Sequence, residues 1–175
     1  MLRTLCRLLH SAIPTLWQPD MTIWLISDTH FGEQPGRRLK ACGLVGDTLD
    51  EPIAQNWQEM IADGDEVWHV GDVGKDWQRI GQLPGRKHLI LAHASDRRAA
   101  IRNSGIFETI QESSVIDHAD RSLFLIHNPD QPRPGPETDV IHGHHHYRPP
   151  EPGHFTVCID HWDWRQVRLV DLIAG

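Results

Sequence analysis

Short apolar runs punctuate the chain more than long amphipathic stretches do. Residues 22–27 (TIWLIS), 66–70 (EVWHV), 88–92 (HLILA), 122–127 (SLFLIH) and 139–142 (DVIH) are apolar on consecutive positions and rich in β-branched residues. Runs of that length without a two-residue alternation predict strands buried on both faces. Residues 113–116, 154–160 and 165–172 predict further strands, and Trp162 and Trp164 alternate with Asp163 in strand fashion. Helical spacing appears between the early runs. Asp50-Glu51-Pro52 predicts an N-cap at Asp50 with proline in the first turn, and Ile53, Trp57, Met60 and Ile61 carry an apolar stripe as far as Gly64. Residues 76–83 predict a short helix stopped by Pro84-Gly85, and Ser95 is expected to cap a helix that runs through Asn103 and ends at Gly105. Residues 33–46, 128–136 and 148–153 read as loops rich in glycine or proline.

Helices and strands alternate early and strands dominate late. That order predicts an α/β fold in which mixed sheets pack together under flanking helices. At 175 residues the chain is long enough for one domain with a substantial core, expected over residues 21–175. Residues 1–20 stand apart: Leu2, Leu5, Leu8 and Leu9 repeat with helical spacing, Arg7 interrupts the apolar stretch, and Pro14 and Pro19 break it. A signal peptide needs a continuous apolar stretch. Two readings remain, a basic transit-like leader and a disordered or loosely docked extension, with Met21 in place as a natural start before the first strand.

Composition narrows the function classes. A net charge of −7 speaks against bulk nucleic-acid binding through a basic surface but leaves room for a small phosphorylated substrate, because bound divalent cations reverse local charge. Cys6, Cys42 and Cys158 are far apart, which argues for a reduced, cytoplasmic compartment over a disulfide framework. No apolar run approaches the roughly 20 residues of a membrane span. Thirteen histidines are many for this length, and several cluster late in the chain.

The candidate chemistry sits at the ends of the apolar runs. Asp28, Asp72, His93, His127 and His144 each follow a predicted strand at its C-terminal end, the edge at which α/β sheets collect ligand sites. Asp28 and His30 would point the same way in extended backbone, as would His144 and His146 in Gly143-His144-His145-His146. Each motif alone has a bland alternative. Asp after Gly71 is ordinary turn chemistry, His127 could be a buried hydrogen-bonded histidine, and a three-histidine tract can be a nonspecific chelating surface. His69 inside its strand reads as a core histidine or a support for a ligand. His145 is expected to face solvent, and Arg37, Arg38, Arg97 and Arg98 are expected to be solvated surface charges or phosphate contacts.

Taken jointly, Asp-x-His, Gly-Asp, His and Gly-His-x-His, each after an apolar strand, resemble the calcineurin-like metallophosphoesterases, and small bacterial or phage-type members in particular. WHVGD, GRKHLIL, SLFLIH, VIHGHHH and the C-terminal VCIDHWDWRQVRLVD carry the resemblance from about Met21 to Leu172. It implies two packed mixed β-sheets flanked by helices and a dinuclear site for Mn, Fe, Zn or Ni, manganese favoured, acting on a phosphomonoester or phosphodiester through a metal-activated hydroxide. Asp28, His30 and His146 would hold the first metal, Asp72 would bridge both, and His127 and His144 would hold the second. The family's Gly-Asn-His-Asp is replaced by Ala92-His93-Ala94-Ser95-Asp96. Three readings of that departure stand: His93 takes the Asn position on the second metal, His93 serves as proton donor or phosphate contact, or the site is degenerate and the chain is an impaired relative that binds a metal, a phosphate or a partner.

Overall fold

The computed structural model describes residues 21–33, 49–92, 98–135, 138–149 and 151–174. The apolar runs become strands whose side chains point alternately to two buried faces. Strand β1 (Ile23–Ile26) sends Trp24 and Ile26 to one side and Leu25 to the other. β2 (Glu66–His69) and β3 (Arg86–Ile90) pair parallel on one side of β1. A short strand the apolar pattern did not reveal, β4 (Thr109–Gln111), extends that sheet. A second sheet contains β5 (Ser113–His118), β6 (Arg121–Ile126), β7 (Asp139–His142) and β8 (His154–Thr156), and β9 (Val167–Arg168) returns to pair antiparallel with β1. The sheet orders are β4-β3-β2-β1-β9 and β5-β6-β7-β8, and both are mixed.

Two cores follow from this layering. Between the sheets, Leu25, Trp68, Val70 and Ile90 meet Ile116, Leu123, Leu125 and Ile141. On the far face of the first sheet, Trp24, Ile26, Val67 and Leu89 pack under helix α1 (Asp50–Met60) through Ile53, Ala54 and Trp57, with Ile80 of a 3₁₀ helix (Trp77–Gln82) and Ile101 of α2 (Arg98–Arg102) beside them. The arrangement is the pair of packed mixed sheets with flanking helices that the resemblance implies. Among the described residues no helix is long and apolar enough to cross a membrane.

Three local expectations give way. Asp50 lies inside the first turn of α1, whose N-cap is Leu49, because its carboxylate accepts the Gly32 backbone N–H at 2.9 and 3.1 Å instead of capping its own helix. The short helix expected over 76–83 is present, as the 3₁₀ helix Trp77–Gln82. The strand expected over 154–160 stops at Thr156, and Ile159–His161 form a 3₁₀ turn followed by left-handed Asp163 and Trp164, so the two tryptophans do not alternate along a strand. The strand expected over 165–172 keeps two residues before helix α3 (Leu169–Ala174). Leu169 and Leu172 are buried at helical spacing there, and Arg168 pairs with Asp171 at 2.6 Å. The expected Ser95 cap, all but the first residue of the loop expected over 33–46, the extension at 1–20, Cys6 and Cys42 lie outside the described residues.

Candidate metal centre

The site is assembled where strand ends of both sheets meet. The loop after β1 and the loop after β2 run side by side, joined by Asp28 N–H to Gly71 O, His30 N–H to Asp72 O and Phe31 N–H to Val73 O, all at 3.0 Å. These bonds hold Asp28, His30 and Asp72 in left-handed backbone, with φ of 58°, 48° and 50°, and His144 after β7 has φ of 67°. Non-glycine residues in that region cost of order 1–3 kcal/mol each and persist only where the surroundings over-determine them. The extended backbone expected for Asp-x-His and His-x-His is therefore absent. Each pair turns instead, and the turn decides where each ring goes.

Asp28 is fully buried. Its carboxylate accepts Ser27 Oγ–H at 2.5 Å and the His144 backbone N–H at 3.1 and 3.3 Å. Asp28 Oδ1 lies 4.0 Å from His30 Nε2 and 3.5 Å from His146 Nε2. Asp72 Oδ2 lies 3.8 Å from His30 Nε2 and 3.4 Å from His127 Nε2, so one carboxylate oxygen faces histidines from both sides. The rings of His127 and His144 meet edge to face at 5.2 Å. Two overlapping donor groups result, Asp28 with His30 and Asp72, and Asp72 with His127 and His144. A third, Asp28 with His146 and Cys158, adjoins the first. His144 and His146 thus part company despite their two-residue spacing. Gly71 and Gly143 make room for this: a Cβ on Gly71 would clash with the Nδ1–Cγ edge of the His127 ring, and one on Gly143 would lie 2.5 Å from Asp28 Oδ2.

The outward nitrogens of three of these histidines are engaged. His30 Nδ1 meets Glu33 Oε2 at 3.0 Å, His127 Nδ1 meets Val70 O at 2.8 Å and His146 Nδ1 meets Asp160 Oδ2 at 2.5 Å. With Nδ1–H donated outward, the Nε2 lone pair of each ring is left pointing inward, which is how metal-ligating histidines are fixed. The electrostatics ask for positive charge in the same place. Burial opposes an imidazolium at His127, yet its hydrogen bond to Asp72 and the charges of Asp28 and Asp72 outweigh burial and raise its pKa. The His144 pKa is lowered by burial and by the neighbouring His127 and His145. Two carboxylates and inward imidazole nitrogens suit a borderline divalent cation. Glu33, Cys158 and Asp160 escaped the sequence reading. Glu33 sits three residues past His30, a detectable spacing, whereas nothing local links Asp160 to His146.

Of the remaining candidates, His69 is a fully buried core histidine whose Nε2 bonds Thr29 Oγ1 at 2.9 Å, between the two ligand candidates Asp28 and His30. His145 is partly buried, 3.3 Å from Asp130 Oδ2, and not fully solvated as expected. Arg98 pairs with Glu112 at 3.0 Å. His93, Arg37, Arg38 and Arg97 lie outside the described residues. Beside the donor groups a cavity of about 210 Å³ is lined by His30, Asp72, Val73, Leu89, Leu91 and Ile101, among others.

Burial pulls the His69 pKa down to about 3, helped by the His127 charge. A depressed folded-state value means that the native form is the neutral ring. The stability it contributes is full above the unfolded value near 6.5 and is lost as pH falls toward about 3. Between pH 7 and pH 5 the loss is about 2 kcal/mol. Urea unfolding with chelator present should show it as a fall in midpoint for wild type that is largely absent in His69→Gln. Equal pH dependence in the two proteins would contradict the assignment.

No protein-family model matches the chain. The Gene 66 protein of Mycobacterium phage D29 is 32% identical over 79 residues, a match that spans 41% of this chain and only 39% of that relative. The crystal structure of AQ665 from Aquifex aeolicus, a protein of unknown function, superposes with a TM-score of 0.67 at 18% identity over 89% of this chain and 99% of that one, which shows a shared fold. More distant are Vps29 (D62A) from Entamoeba histolytica, with a TM-score of 0.46 at 14% identity over 79% of this chain and 73% of that one, and the phosphoesterase Yfce from E. coli, with 0.42 at 16% identity over 79% and 78%.

Proposed function

We propose that the chain is a metal-dependent phosphoesterase of the calcineurin-like type, acting on a small phosphomonoester or phosphodiester. One observation carries the reading: Asp72 Oδ2 lies between His30 Nε2 and His127 Nε2, 3.8 and 3.4 Å away, so two donor groups share one carboxylate. In this reading Asp28, His30, Asp72 and His146 hold one divalent cation, and Asp72, His127 and His144 hold a second. When bound, a pair of such cations clamps phosphate oxygens and lowers the pKa of an attacking water, with manganese our first choice. The protein's own part is positional. The stitched loops fix both aspartates before substrate arrives, so little reorganisation is left for the reaction. Val73, Leu89, Leu91 and Ile101 give the adjoining cavity an apolar wall against which the organic part of the ester would pack. His93, which follows cavity-lining Ala92 in the chain, would complete the second cation's ligands, or would serve as proton donor or phosphate contact.

The test is hydrolysis of an aryl phosphodiester and an aryl phosphomonoester with added Mn²⁺. Turnover that requires the metal, stops with chelator and falls in His93→Ala supports the reading. Two bound metals without turnover would favour the alternative, a binding protein on the same scaffold. The altered 92–96 segment, without the Asn-His pair, is the feature that favours that alternative.

A further inference from the structure

The two donor groups are braced differently. His127 is held by the backbone carbonyl of Val70, at 2.8 Å. His30 is held by Glu33, whose side chain is 38% exposed and therefore screened by water. His146 is held by Asp160, only 5% exposed, at 2.5 Å. The same Asp160 oxygen accepts the Sγ–H of fully buried Cys158 at 3.2 Å, and Sγ lies 3.5 Å from His146 Nδ1.

The backbone explains why this brace is firm. Ser27 N–H bonds Val157 O at 2.9 Å and Ile159 N–H bonds Ser27 O at 3.3 Å, forming an isolated parallel bridge between Ser27 and Cys158. Residue 28 and residue 160 are therefore carried by two hydrogen-bonded segments, one from each sheet. The His146 ring spans the gap, Nε2 toward Asp28 and Nδ1 toward Asp160. A buried carboxylate on Nδ1–H fixes the tautomer, sets the ring plane and makes Nε2 a stronger donor.

We propose that Asp160, steadied by the Cys158 thiol, is the positioning residue for His146 and makes the Asp28 side the tighter of the two cation sites. The inference rests on the metal-site reading above. It fixes an order of filling: the site of Asp28, His30, Asp72 and His146 loads first, and the site of His127 and His144 loads at higher metal concentration.

Calorimetric titration of the full chain with Mn²⁺ tests it, checked by circular dichroism for folding. Wild type should show one tight and one weaker class. Asp160→Asn should weaken the tight class about 10–100-fold, the range for loss of such a partner, and leave the weak class within about 2-fold. Cys158→Ser keeps a donor to Asp160 and should stay close to wild type, and Asp160→Glu should recover part of the loss. A metal-free readout accompanies this. Proton NMR of the wild type should show a strongly deshielded imidazole N–H that disappears in His146→Gln, and its absence from wild type overturns the brace even if Asp160→Asn fails to fold. A folded Asp160→Asn with wild-type Mn²⁺ affinity overturns the inference and leaves the proposed activity standing. A wild type that binds no Mn²⁺ overturns both.

Discussion

Asp72→Asn is expected to lower the proposed metal-dependent phosphoester turnover by about 10³-fold, the scale of several kcal/mol of lost charge stabilisation. The substitution keeps the volume of the side chain and removes its charge. Because one Asp72 oxygen faces His30 at 3.8 Å and His127 at 3.4 Å, that charge is lost from both donor groups at once. Metal titration should therefore show both classes weakened, unlike the selective effect expected at Asp160. Folding should survive, since the loop that carries Asp72 is held by backbone bonds from His30 to Asp72 and from Phe31 to Val73. Turnover within a few-fold of wild type, measured on the aryl esters with Mn²⁺, would sink the shared-carboxylate mechanism.

Gly71→Ala is expected to destabilise the protein by about 3–4 kcal/mol, the sum of a left-handed penalty and an overpacking penalty. Gly71 has φ of 90°, and its new Cβ would clash with the His127 ring at Nδ1 and Cγ. That ring is 1% exposed and tied to Val70 O, so it has nowhere to move without giving up its position next to Asp72. For a chain of this size the melting temperature should fall by roughly 10 °C, and the weaker Mn²⁺ class should disappear. Gly64→Ala is the control, because a Cβ there meets nothing within 4 Å. Equal melting temperatures for the two variants would show that the His127 ring is not confined as described.

Much of the scaffold was readable from local pattern. TIWLI, EVWH and SLFLI are apolar on consecutive positions because each strand is covered on both faces, and that cover is visible in the chain without knowledge of what supplies it. The polar residues that end those runs were legible for the same reason, since a strand buried on both faces stops where a charge must reach the edge. β4 was missed because Thr109, Ile110 and Gln111 are none of them fully buried, so an edge position left no apolar run. The C-terminal segment was misread because Val167, Leu169 and Leu172 satisfy both a strand and a short helix, and only packing between the sheets selects the turn into α3.

The site divides along the same line. Asp28, His30, Asp72, His127, His144 and His146 could be picked out from their places after apolar strands, and their ordered series suggested a family; His93 belongs to that series and lies outside the described residues. Their partition was not available from spacing and was implied only by the family resemblance. His144 and His146 were expected to project together, yet the left-handed turn at His144 sends one ring toward His127 and the other toward Asp28. The bond that enforces it, His144 N–H to Asp28, joins residues 116 positions apart. Local pattern is enough to mark the strands buried on both faces and the polar side chains that end them, because burial and periodicity act over a few neighbouring residues. The left-handed turns that separate the His144 and His146 rings, and the buried acid behind His146, come only from the tertiary structure, because they depend on loops from two sheets meeting at one edge.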